Sequence, residues 1–113
     1  MEENETQADE QQMDEPQLYL KSHRSGREVL VAVCDCDLVG KRFVEGRLHV
    51  EVTPDFFGEE KASSQEVEAA LKNATIANFV GCCAVEHAIK LGYVDSENVL
   101  SIDGVPCAQM VRM

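Results

Sequence analysis

The stretch ATIANFVGCCAV, residues 74–85, lies in the longest run of the chain without a charged residue. At twelve residues it is well short of the roughly eighteen consecutive apolar residues that a membrane-spanning helix requires. It therefore predicts a buried helical segment in the core of a soluble domain.

A helix is also predicted just before this stretch. Ser63 is followed three residues later by Glu66, which is the spacing of a capping box. From residue 76 to residue 83 the apolar positions lie about half a turn away from the stripe made by residues 67–74. Either one long helix is buried on all sides in its middle, or residues 73–75 form a bend between two helices. The poor helix formers there favour the bend.

The residues before the helices are predicted to form strands. Residues 29–34 (VLVAVC) are apolar on both faces, which indicates a central strand covered on both sides. Residues 17–22 precede it across a turn rich in Ser and Gly, so we expect them to be its antiparallel neighbour. Residues 47–53 alternate between apolar and polar side chains, as in a strand whose outer face carries His49 and Glu51 in water.

The last part of the chain predicts a hairpin. Asp103-Gly104 is the strongest two-residue turn signal, and it separates residues 99–102 from residues 105–111. Pro106 lacks an N–H, so the second arm is predicted to lie at a sheet edge near its start. Together the elements predict an α+β fold, with an antiparallel or mixed sheet of about five strands and one or two helices packed on one face.

Charge divides the chain into two parts. Residues 1–16 hold seven acidic and no basic residues and almost nothing apolar, which predicts a disordered acidic tail. Residues 17–113, with 14 acidic and 10 basic residues, are predicted to form a single domain. This acidic excess disfavours general attraction to polyanions, so no DNA binding is expected. Lys41, Arg42 and Arg47 nevertheless concentrate positive charge in a patch that could bind RNA.

The five cysteines indicate free thiols in a reducing compartment. Their number is odd and the N-terminal residues do not resemble a signal peptide, so we expect a cytoplasmic protein without a membrane partner. Cys34-x-Cys36 and the adjacent Cys82 and Cys83 lack the spacing of zinc sites, and no metal or cofactor is expected. Cys83 and His87, four residues apart, could form a nucleophile and its base, or could be a buried thiol beside a surface histidine.

Polar residues in two places are candidates for a site. Asp35 and Asp37 follow the predicted central strand, where they could bind a cation or a basic partner, or could hydrogen-bond to their own backbone as turn residues. Thr75 and Asn78 lie inside the most apolar stretch. If buried they must be hydrogen-bonded, either as caps of the bend or to a ligand.

Several short blocks stand out along the chain. They are VCD at 33–35, LVGK at 38–41, FFGE at 56–59, ATIANFVG at 74–81 and GVPCAQ at 104–109. Over residues 17–113 these blocks resemble an archaeal family known as domain of unknown function 424, and ATIANFVG is the most distinctive of them. The resemblance implies a single domain of the archaeal cytoplasm with no assigned activity. It also implies shared residues that are candidates for a site: Asp35, Gly40, Lys41, Thr75, Asn78, Gly81 and Gln109.

The leading hypothesis is a non-enzymatic binding or adaptor domain with an unknown protein partner, acting through residues 35–42 and 75–81. It rests on the lack of a phosphate loop, a cofactor fingerprint or a well-spaced metal site in the sequence. The candidate binding residues are Asp35, Asp37, Gly40, Lys41, Arg42, Thr75, Asn78, Gly81 and Gln109. Two alternatives stay open: an RNA- or translation-associated protein that uses Lys41, Arg42 and Arg47, and a small thiol- or metal-dependent enzyme.

Overall fold

The computed structural model describes residues 17–112, and the predicted acidic tail of residues 1–16 lies outside the described residues. Eight strands and three α-helices form within this range. None of these helices has the length and the apolar character needed to cross a membrane. In chain order the elements are β1 Leu18–Ser25, β2 Glu28–Asp35, β3 Arg42–Glu45, β4 Leu48–Glu51, α1 Pro54–Phe57, β5 Lys61–Ala62, α2 Ser64–Lys72, β6 Ile76–Val80, α3 Cys82–Lys90, β7 Leu100–Ile102 and β8 Val105–Val111.

Six of the strands form one mixed sheet in the order β5-β1-β2-β6-β8-β7. The two central strands, β2 and β6, are parallel, and the other neighbours are antiparallel. Strands β3 and β4 form a separate two-stranded hairpin. The predicted α+β class with a mixed sheet is therefore confirmed. The sheet has six strands where about five were expected. Strands β5 and β6 are additional, and the strand predicted at residues 47–53 lies outside the sheet, in the β3–β4 hairpin.

The helical interpretation of residues 74–85 is wrong in its first half. Helix α2 ends at Lys72, and Ile76–Val80 forms strand β6 between β2 and β8. Neither the continuous helix nor the bend between two helices exists, because a central strand separates α2 from α3. A central strand covered on both faces has an unbroken apolar sequence, and over so short a run it cannot be distinguished from a buried helix by periodicity.

The sheet has a different cover on each face. On one face α2 and α3 pack through residues such as Leu71 and Val85 against sheet residues that include Val33 and Phe79. On the other face, Phe57 of α1 and the chain after β4 pack against a second cluster that includes Ala32, Cys34 and Val80. The two longer helices do share one face as expected, but the short α1 lies on the opposite face.

Several local predictions are confirmed. Strands β1 and β2 pair antiparallel, and Ser63 and Glu66 make both hydrogen bonds of the capping box. The C-terminal hairpin forms around Asp103-Gly104, both of which have positive φ.

Near the start of β8 the predicted edge position of Pro106 is confirmed, since Pro106 pairs with β7 alone. As a whole, β8 is internal, with a neighbour on each side. Its pairing with β6 begins only at Cys107, opposite Val80. The missing N–H of Pro106 therefore breaks no ladder bond to β6. Its carbonyl instead accepts the N–H of Gly81 at 2.8 Å.

Thr75 ties the start of β6 to the start of β2. Its Oγ1 accepts the N–H of Val29 at 2.9 Å and donates to Oε1 of Glu28 at 2.7 Å. The backbone N–H of Thr75 also donates to the carbonyl of Val29 at 2.8 Å. Of the two roles considered for Thr75, a hydrogen bond within the fold is the one observed, although it joins two strands and does not cap a bend.

We predict that Thr75→Val lowers the free energy of unfolding by about 1–3 kcal/mol, because the half-buried N–H of Val29 loses its side-chain acceptor. Valine keeps the β-branched shape that suits a strand. The measurement is urea unfolding followed by circular dichroism. Thr75→Ser, which keeps the hydroxyl, serves as control and should lose much less. Equal losses in both variants would show that packing of the methyl group, and not the hydrogen bond, matters here.

Candidate functional site

Asp35 lies where the parallel strands β2 and β6 end side by side, and its carboxylate caps α3. Oδ1 accepts the N–H of Ala84 at 2.9 Å, and Oδ2 accepts the N–H of Cys83 at 3.2 Å. These are free N–H groups of the first helical turn, where a negative charge is favourable. Asp35 thus performs the task of an N-cap from a neighbouring strand, since Gly81 at the cap position has no side chain.

The close approach of this carboxylate explains the glycine at position 81. Gly81 has φ +110°, and a Cβ there would lie 2.6 Å from Oδ1 of Asp35. Burial raises the pKa of Asp35, while the N–H donors of Ala84 and Cys83 act in the opposite direction. Asp35 and Gly81, which the family resemblance implied as site candidates, therefore join α3 to the sheet.

The other site candidates of the predicted loop, Asp37, Gly40, Lys41 and Arg42, are exposed. Asp37 lies in a 3-10 turn, and Gly40 at φ +89° donates its N–H to the carbonyl of Val52 at 2.7 Å. Lys41 and Arg42 lead into β3, with both side chains exposed. Neither makes an ion pair with a residue in the range 17–112. These residues lie on the stem of the β3–β4 hairpin.

The two predicted segments do not form one surface. Gly81 lies beside Asp35, but Thr75 is at the opposite end of β6, about 20 Å away at the rise of an extended strand. Asn78 is in the middle of β6, directly opposite Gln109 of β8. The structure therefore brings together Asp35 with Gly81, and Asn78 with Gln109, as two separate pairs.

Asn78 and Gln109 line a cleft of about 440 Å³ between the β3–β4 hairpin, α1 and the sheet. Their side-chain amides make no hydrogen bond to another described residue. Most of the other lining side chains are aliphatic or aromatic. The lining residues include His49, Val50, Glu51, Asn98 and Leu100.

The walls of the cleft are held by specific contacts. Glu45, near the tip of the β3–β4 hairpin, accepts the N–H of Asp103 at 2.6 Å, which ties this tip to the turn between β7 and β8. On α1, the Phe56 ring stacks on His23 with centroids 5.1 Å apart, and Nε2 of His23 lies 2.8 Å from the Phe56 carbonyl oxygen. These contacts fix the positions of the hairpin tip and of α1, which form two walls of the cleft.

Sequence reasoning missed most of the cleft. The alternation of residues 47–53 placed His49 and Glu51 on the outer face of a strand, but no local signal showed that this strand folds over the sheet. Asn98 lies in a 3-10 turn before β7 and carried no signal at all. Only Asn78 and Gln109 were candidates, and Gln109 was one through the family resemblance alone.

The pKa values of four of the five thiols are raised, those of Cys34, Cys36, Cys83 and Cys107. Burial raises the pKa of Cys34 to about 12. Burial also raises the pKa of Cys107, and burial together with Asp35 raises that of Cys83. His87 makes no hydrogen bond to Cys83, and its Nε2 is buried without a partner. Within residues 17–112 no three His, Cys, Asp or Glu side chains are grouped as a metal site would require.

A family model described as a protein of unknown function (DUF424) matches residues 23–113. The chain belongs to this family. Among solved structures, the DUF424 chain is similar to an uncharacterized conserved protein from Methanopyrus kandleri, with 19% identity and a TM-score of 0.71. The match covers 86% of this chain and 95% of that protein, and at this identity it shows a shared fold alone. No curated protein matches the chain.

We predict that Gly81→Ala lowers the free energy of unfolding by roughly 2–4 kcal/mol, because the new Cβ would collide with the Asp35 carboxylate. Gly40→Ala is the matched control, since Gly40 also has positive φ but has open space around it. Thermal and urea unfolding of both variants give the comparison. If Gly40→Ala costs as much, the contact with Asp35 does not explain the glycine.

We predict that Asp35→Asn increases the rate of Cys83 alkylation by roughly two- to tenfold at neutral pH. Removing the charge lowers the pKa of Cys83, although burial, the larger cause, remains. Iodoacetamide labelling with peptide mass spectrometry measures the rate, and Asp37→Asn, a more minor influence on this thiol, is the control. A Cys83 that reacts faster than free cysteine in the unmodified chain would contradict the raised pKa and favour the thiol enzyme.

Proposed function

We propose that this DUF424 protein is a non-enzymatic binding or adaptor domain whose ligand site is the cleft between β4, α1 and the sheet. The observation that carries the proposal is the pair of side-chain amides of Asn78 and Gln109, which face each other on adjacent strands without a protein partner. A mostly apolar cleft with a few converging polar groups is the usual form of a binding site.

The cysteine thiols and the Asp35 carboxylate support a binding function over thiol catalysis. A nucleophilic cysteine needs a depressed pKa, whereas the pKa values of Cys83 and Cys107 are raised. Cys107 lines the cleft but directs its Sγ toward the carbonyl of Val105, at 3.6 Å. Asp35 is committed to the helix N-terminus and is not a free base. The cytoplasm remains the expected location of such a domain.

The proposed ligand site differs from the site expected from the sequence, which comprised residues 35–42 and 75–81. Asn78 and Gln109 are retained as ligand-binding residues. Asp35, Gly81 and Thr75 are assigned to the stability of the fold, because each has its contacts within the chain. Asp37, Gly40, Lys41 and Arg42 belong to the stem of the β3–β4 hairpin, and they act on a ligand only if it extends beyond the cleft.

RNA is the second candidate ligand, favoured by one observation. Lys41, Arg42 and Arg47 are exposed on the β3–β4 hairpin and make no ion pair with a described residue. Free basic side chains can neutralise phosphates. Glu45 and Glu51 lie on the same hairpin, however, and few aromatic rings are exposed for base stacking. Protein is therefore the favoured partner class.

The test is recovery of partners from the cells that make this protein, using the intact chain and the double variant Asn78→Leu with Gln109→Leu. Leucine fills similar space but removes the hydrogen-bonding amides. We expect the recovered partner to fall by about tenfold or more, which corresponds to two buried hydrogen bonds. Gln65→Leu, an exposed Gln→Leu change on α2, is the matched control and should retain the partner.

Nuclease treatment separates the two candidates. A partner that resists ribonuclease and is lost in the double variant supports the proposal. A partner that disappears with ribonuclease, and with Lys41→Glu and Arg42→Glu, favours RNA. Unchanged recovery in the double variant contradicts the cleft as the ligand site.

A further inference from the structure

Strand β4 has an unpaired edge. The N–H of Val52 donates to the carbonyl of Lys41 at 2.9 Å, which sets the hydrogen-bonded positions of the hairpin. In an antiparallel pair these positions alternate, so Phe43 with Val50 is a hydrogen-bonded pair and Arg42 with Glu51 is not. The N–H and C=O groups of His49 and Glu51 therefore point away from β3. They have no partner among residues 17–112.

This unpaired edge borders the cleft. His49, Val50 and Glu51 are consecutive residues of β4 and all line the cleft, whereas no residue of β3 does. Consecutive side chains of a strand point to opposite faces, so a cleft that touches all three lies along the strand edge. Two N–H and two C=O groups are thus directed to the space that Asn78 and Gln109 face from the sheet.

The arrangement of these groups matches an extended peptide. Residues 49 and 51 of β4 present donor and acceptor together at a repeat of about 7 Å, which is the repeat of a β-strand. A side-chain amide likewise carries one acceptor and donors in one plane, as a peptide group does. An unpaired edge of this kind is a template for another strand.

The apolar lining determines what the peptide must carry. Val50, Phe57 and Val80 line the cleft and offer no hydrogen-bonding side chain. Leu48 and Leu100 near it are 44% and 49% exposed, which leaves apolar surface for a partner to cover. Glu51, which lines the cleft, lies directly opposite Arg42, so the charges of the hairpin do not select an acidic peptide. An apolar side chain of the peptide would fill the cleft.

We propose that the ligand is an extended segment of a partner protein that adds to the free edge of β4 as a third strand. Its apolar side chain enters the cleft, and its backbone forms hydrogen bonds with the backbone groups of His49 and Glu51. The inference rests on the proposed function and specifies the partner of the same cleft. Strand addition to an exposed edge is a recurring mode of peptide recognition.

The test begins with a phage library of random linear peptides, selected against the intact chain. Selected peptides are synthesised and added to the ¹⁵N-labelled protein, and amide hydrogen exchange is followed by NMR. We expect exchange at His49 and Glu51 to slow by about tenfold or more, because their N–H groups become hydrogen-bonded. Exchange at Val50 should stay the same, since its N–H is already bonded within the hairpin.

Modified ligands test the strand geometry without altering the protein. N-methylation at alternate peptide positions should abolish binding in one register and leave it intact in the other, because only alternate N–H groups face β4. The enriched sequences should share an apolar residue. Binding should weaken in the Asn78→Leu and Gln109→Leu variant and persist in Gln65→Leu.

Four results would overturn the inference: no enriched peptide, binding without protection of His49 and Glu51, equal tolerance of N-methylation in both registers, or protection already produced by self-association of the chain through β4. If a cellular partner still depends on Asn78 and Gln109, the proposed binding function survives such a result and only strand addition fails. If neither peptides nor cellular partners respond to those two substitutions, both proposals fail together.

Discussion

The pairing of β6 with β2 on one side and β8 on the other is the interaction on which the remaining structure depends. It places a five-residue strand in the centre of the sheet, where both faces must be covered. The register opposite β8 sets Asn78 against Gln109, and the register opposite β2 brings the end of β6 beside Asp35. The cleft and the helix cap are both consequences of this alignment.

The Asp35 contact shows how a conspicuous polar residue can have a structural task. A carboxylate at the end of a central parallel strand is a reasonable candidate for cation binding or catalysis. Here its two oxygens accept N–H groups of α3, and a glycine next to the helix makes room for it. Such a contact satisfies donors that would otherwise be left free at the start of the helix. The hydrogen-bonding capacity of the Asp35 carboxylate therefore stabilises the fold.

Several polar groups of the cleft differ from Asp35, because they form no hydrogen bonds within the described part of the chain. Within residues 17–112, the side-chain amides of Asn78 and Gln109 have no hydrogen-bond partner, and neither do the backbone groups of His49 and Glu51 on β4. Such groups, concentrated in one concave and largely apolar region, are the basis of the proposed ligand site. Among the cleft residues Cys107 carries a thiol, and burial raises its pKa.

The sequence by itself determined the features that depend on neighbours along the chain. The capping box at Ser63, the turn at Asp103-Gly104 and the antiparallel pairing of β1 with β2 follow from local hydrogen bonding and turn conformation. It also determined the α+β class. Only the tertiary structure decided that residues 76–80 are a strand, because burial on both faces removes the periodicity that separates strand from helix. The tertiary structure alone also joined His49, Asn78, Asn98 and Gln109 in one cleft, since these residues come from four segments whose proximity no local pattern encodes.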